Sequence, residues 1–102
     1  MSIPFWQEDP DAPYATLLSV VAGTCHPEAW EEAYADLQRI AREYPDTPRM
    51  IRFKKELRDA LRDPARLPPG ELFDAAQYSD GSESAFLARL WRDLYPGEAP
   101  PV

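Results

Sequence analysis

Apolar residues recur at helical spacing along most of this chain, and the strongest run lies near its end. Between Glu83 and Tyr95 two adjacent rows, Phe86-Leu90-Leu94 and Leu87-Trp91-Tyr95, repeat every four residues and make one broad apolar face. Asp80-Gly81 ahead of it reads as a turn in which Gly81 takes a positive φ that side chains resist. Ser82 or Ser84 can accept from the first free N–H groups, with Glu83 near the positive helix end, and Pro96-Gly97 closes the segment. So much leucine and aromatic surface has to be covered, and the earlier segments are expected to pack on it.

Those segments carry their own periods. Asp11 is placed to cap a first short helix with Pro13 in its opening turn, Tyr14, Leu17, Leu18 and Val21 inward, and Gly23 as a stop. Val20 and Val21 also suit a strand. A second helix is expected from Pro27 to Pro45, with Trp30, Ala33, Tyr34, Leu37, Ile40, Ala41 and Tyr44 as its stripe. Asp46 or Thr47 followed by Pro48 starts a third, which turns Met50, Phe53, Leu57, Ala60 and Leu61 inward and ends at Asp63-Pro64. Leu67-Pro-Pro-Gly is a stiff connector into a short fourth helix, Glu71 to Tyr78. No segment alternates convincingly with period two, and the twelve prolines fall almost entirely at element borders. The pattern predicts an all-α fold: one compact bundle of about five short helices over residues 1–102, with 1–11 an extended arm and 97–102 a loose tail.

Composition narrows the partners. A chain of 102 residues, 44% hydrophobic and 12% aromatic, has one core's worth of material and is not disordered. Its net charge of −7 opposes nucleic-acid binding, which needs a surplus of Lys and Arg. Residues 1–46 hold nine acids and two bases, 47–66 seven bases and three acids, and 67–102 six acids and two bases, so a basic third helix lies between acidic neighbours. One cysteine permits no internal disulfide, Met1 to Asp9 lacks a secretion signal, and no apolar run spans a bilayer; a cytoplasmic location is expected.

Catalytic chemistry has little to work with. Cys25-His26 is the only pair suggestive of a nucleophile and base, yet adjacent side chains rarely face each other and there is no second histidine. Zinc-ligand spacing, a calcium loop and a glycine-rich phosphate loop are all missing, so no cofactor, metal or catalytic residue is assigned. The acidic surplus instead suits a basic protein partner. Its candidate contacts are Glu28, Glu31, Glu32 and Asp36 on the outer face of the second helix, with Asp74, Tyr78, Asp80 and Glu83 at the corner before the last. Tyr78 is the aromatic expected at the surface there, while Trp6, Trp30 and Trp91 are expected in or near the core. Two competing readings are a nucleic-acid-binding or regulatory domain using Arg49, Arg52, Lys55 and Arg58, and a small enzyme built on Cys25 or His26.

The segment Leu72 to Pro96, with an acidic turn followed by Phe-Leu, Leu-Trp and Leu-Tyr pairs, resembles small bacterial immunity proteins of polymorphic toxin systems, notably contact-dependent growth inhibition. The likeness covers about a quarter of the chain, and most of it is a core pattern. It implies a non-catalytic inhibitor, monomeric and binding 1:1, that neutralises a cognate cytoplasmic toxin, often a nuclease with a basic surface. Each such protein is matched to its own toxin, so the resemblance brings no binding motif with it.

Overall fold

The computed structural model describes residues 3–101. Six α-helices run in order: α1 (Phe5–Glu8), α2 (Ala15–Thr24), α3 (Ala33–Glu43), α4 (Pro48–Arg62), α5 (Glu71–Ala76) and α6 (Glu83–Leu94), with a single 3-10 turn at Pro64–Arg66. Among the described residues there is no strand, and the fold is an all-α single domain. None of these helices is long and apolar enough to cross a membrane.

The centre of the bundle is α2 rather than the last helix. Its sequence, ATLLSVVAGT, has no charged side chain, and Leu17, Leu18 and Val21 are fully buried. A helix that is apolar nearly all round has to be enclosed. It packs against α1, α3, α4 and α5, while α6 lies on α3 and α4. Phe53 and Leu57 of α4, Leu72 of α5 and Phe86, Leu87 and Leu90 of α6 close the same core. Val20 and Val21 are helical, because enclosure outweighs the modest strand preference of branched side chains.

Several helix ends follow local chemistry. The Thr47 hydroxyl accepts from Met50 N at 3.3 Å with Pro48 at the first position of α4, and Ser82 accepts from Ala85 N at 3.1 Å. Gly81 sits at φ +95°, as a turn there requires. Gln77, at φ +52°, ends α5 short of Tyr78 with a left-handed residue.

Other ends depart from the sequence reading. Residues expected in an extended arm form α1, and Phe5 and Trp6 pack on the core; Met1 and Ser2 lie outside the described residues. Asp11 does not cap α2. It pairs with Arg52 at 3.1 Å, and Tyr14 occupies the cap position at φ +66°. The free N–H of Leu17 in that first turn donates instead to Glu56 Oε1 of α4 at 2.8 Å. Glu56 is thus a buried carboxylate, 7% exposed, whose other oxygen accepts from Arg52 Nε at 3.0 Å. Gly23 lies inside α2, which runs on to Thr24. The expected loose tail is tied at its start: Trp91 Nε1 donates to the Glu98 carbonyl at 3.1 Å, and Lys54 pairs with the Glu98 carboxylate. Val102 lies outside the described residues.

Candidate functional site

The chain leaves α2 at Cys25, whose N–H still bonds to Val21 O at 2.8 Å. It does not re-enter a helix at Pro27. His26 Nδ1 accepts from Glu28 N at 3.0 Å, Ala29 N donates to His26 O at 2.9 Å, and Ala33 N donates to Trp30 O at 2.9 Å. The Ala33 amide, which a helix starting at Pro27 would bond to Ala29 O, turns to Trp30 O instead, and like charges at i, i+4 along Glu28, Glu32 and Asp36 further disfavour that helix. The second helix therefore begins six residues late, as α3 at Ala33.

That delay changes the site. Glu28, Glu31 and Glu32 sit on an exposed loop instead of a helix face, and only Asp36 lies in α3. They flank Trp30 along the chain, and Trp30 is 64% exposed where burial was expected. The Trp30 ring is held by its Nε1–H donating to Asp36 Oδ2 at 3.4 Å, and Asp36 also approaches Arg39 at 4.0 Å. No ion pair within the described residues involves Glu28, Glu31 or Glu32.

Beside Trp30 runs a groove of about 350 Å³ between α2, α3 and the start of α4. Val20, Gly23, Ala33, Leu37, Ile40 and Met50 give it a mainly apolar wall, and Arg49, bonded to Ser19 Oγ at 3.3 Å, lies on its edge. A Cβ built on Gly23 would meet nothing within 4 Å, so the absent side chain leaves open space. Tyr44, one turn beyond Ile40 and 55% exposed, continues the apolar row where burial was expected.

The second acidic candidate has a different fate. Asp80 receives two hydrogen bonds from Arg89, Nε at 2.7 Å and Nη2 at 3.1 Å, and these hold its carboxyl below the usual range. Tyr78 stacks on Phe86 with centroids 5.0 Å apart and planes at 9°, and meets the Phe73 edge at 5.3 Å. It is a satellite of the core and not the surface anchor expected. Glu83 is half-buried at the start of α6, with Oε2 enclosed and lacking a hydrogen-bond partner in the described structure. Of this group Asp74 is exposed, on a small cleft with Pro4 and Trp6.

The basic helix is partly neutralised, and among the described residues Arg49, Arg58 and Arg62 join no ion pair. Arg52 bridges Asp11 and Glu56, Lys55 pairs with Asp59 at 2.9 Å, and Arg49 is drawn to Ser19. An open cleft of about 520 Å³ beside them brings together Tyr14, Arg52, Lys55, Glu56, Asp59 and Arg66. Arg52 reaches across it to Asp11, the Arg52–Glu56 and Lys55–Asp59 pairs lie along α4, and burial, followed by the Asp59 charge, pushes the Tyr14 phenol up, away from activation as a nucleophile. Cys25 is held back likewise: burial raises its thiol, which lies 3.6 Å from the Thr24 hydroxyl, while His26 Nδ1 faces the Glu28 amide.

No family model matches the chain, and no curated protein or solved structure does. The functional reading therefore stands on geometry. Sequence reasoning found the acids of the loop but missed Trp30 and the groove wall. One local signal was present in the like charges of Glu28, Glu32 and Asp36 at i, i+4, which weigh against a helix through them. The groove itself has no linear signature, because its wall comes from three helices.

Proposed function

We propose that this chain is a non-catalytic protein-binding module that neutralises a basic partner, acting as an immunity protein against a cognate toxin encoded beside it, in the cytoplasm, monomeric and 1:1. The observation that supports the reading is the juxtaposition at the α2–α3 loop of Glu28, Glu31 and Glu32, unpaired among the described residues, with exposed Trp30 and an adjoining apolar groove. Carboxylates at a rim raise encounter rates with a cationic protein, and an aromatic ring at the centre supplies surface that resists dissociation. A nuclease toxin presents a basic face to its phosphate substrate, so the same field attracts this loop. The resemblance of residues 72–96 to immunity proteins points the same way.

The test is direct. Mixed with the purified product of the adjoining toxin gene, the chain is expected to form a 1:1 complex, with an association rate that falls steeply as salt rises, and to abolish the toxin's killing. No complex at low salt ends the reading. A gel shift with mixed-sequence DNA at low salt tests the alternative based on Arg49, Arg52, Lys55 and Arg58, and no retarded band is expected.

A further inference from the structure

The acidic loop and the groove beside it differ in chemistry, and together they select a ligand. We infer that the groove is a docking site for a basic amphipathic segment of the partner: its apolar side chains enter between Trp30, Ile40 and Met50, and its Lys or Arg residues meet Glu28, Glu31 and Glu32. This rests on the reading above and adds the shape and class of what is bound.

Three observations carry it. The groove wall is mainly apolar and half-open, and a space of about 350 Å³ holds one or two large aliphatic or aromatic side chains rather than a flat surface. Trp30 stays on the rim, 64% exposed, with its indole N–H directed to Asp36 at 3.4 Å, so the ring already lies beside the groove. The groove itself is lined by Asp36, which approaches Arg39, and by Arg49, drawn to Ser19; the acidic excess comes from Glu28, Glu31 and Glu32 on the loop that carries Trp30 to its rim. An acidic or uncharged apolar segment would bury the same surface but leave those carboxylates facing like charge or nothing. Alternating cationic and apolar positions are what an amphipathic helix presents, as in other helix-in-groove complexes. Gly23 completes the fit, since its missing side chain leaves the α2 wall open.

The experiment titrates the full chain with a Leu/Lys amphipathic peptide of about four helical turns. An oligolysine of equal charge and a Leu/Glu peptide serve as comparisons. Binding is followed by tryptophan emission, with Trp30→Phe separating Trp30 from Trp6 and Trp91. The Leu/Lys peptide is expected to bind saturably at low salt and to shift the Trp30 signal, with oligolysine about tenfold weaker and the Leu/Glu peptide silent. Gly23→Leu, which places a side chain on the groove wall without removing charge or core, is expected to weaken the Leu/Lys peptide about tenfold and leave oligolysine unchanged. Trp30→Ala gives the same direction if Gly23→Leu lowers the helix signal. Equal affinity for oligolysine, or no effect of either substitution, overturns the groove inference while the acidic-surface reading stands. No binding by either cationic peptide overturns the groove inference too, and the toxin-complex measurement then decides the broader reading by itself.

Discussion

Two acidic regions that look alike in sequence are packed in opposite ways. Around residues 78–83 the fold draws polar groups inward, with Asp80 clamped by Arg89 and Tyr78 stacked on Phe86, although Asp74 before them stays exposed. Around residues 28–36 it leaves them out, with Glu28, Glu31 and Glu32 beside an exposed tryptophan. The difference comes from what each region faces. The corner before α6 turns directly over the core and has an arginine two turns along the same helix; the loop after α2 turns over a groove that the chain does not fill. Acidic residues are thus left free to meet a partner only where the fold has not already supplied a counter-charge.

The contrast can be broken first through packing. Phe86→Ala removes the ring under Tyr78 and is expected to cost about 3–5 kcal/mol in urea unfolding, whereas Trp30→Ala should stay within about 0.5 kcal/mol of wild type. A large loss at Trp30 would mean that the loop, too, belongs to the core. Glu56 comes next as a carboxylate wholly absorbed by the fold. Glu56→Ala leaves the Leu17 amide without its acceptor and Arg52 with one fewer partner, so unfolding free energy should fall by about 1–3 kcal/mol.

Charge reversal sharpens the comparison on the other side. The double substitution Glu31→Lys, Glu32→Lys should leave the unfolding midpoint almost unchanged while slowing association with a cationic partner about tenfold at low salt, a difference that shrinks as salt is added. Stopped-flow rates against ionic strength decide it.

The smallest effect is a pH signature at Asp80. Its folded pKa is held below 3.8 by the Arg89 hydrogen bonds, so its contribution is complete above that value and is lost as pH falls through the lowered one. Asp80→Asn should therefore be less stable than wild type by no more than about 1 kcal/mol at neutral pH, with the two curves meeting only in strong acid. Unchanged binding by this variant, set beside the loss at Glu31 and Glu32, would separate the two regions.

Much of this architecture could be read along the chain. Thr47-Pro48, Gly81-Ser82 and the stripes of α4 and α6 behave as their local chemistry demands, since a hydroxyl cap or a residue repeat acts over four or five positions. The helix expected from Pro27 gives way to separate turns, with Ala33 N bonded to Trp30 O, and its like-charged row gained nothing from forming. Trp30 was misjudged for the same reason: its inward register existed only if that helix did.

By itself, then, the sequence determined an all-α bundle, the boundaries of α4 and α6, most of its core stripes and its excess of acid, all of which follow from short-range spacing and composition. Tertiary structure decided which acids are spent and which remain. That depends on residues far apart in the chain meeting, as Glu56 meets Leu17 and Tyr34 meets Asp93, and on a groove whose wall three separate helices must assemble. Hydrogen bonds and ion pairs are satisfied by proximity in space, which no local pattern encodes.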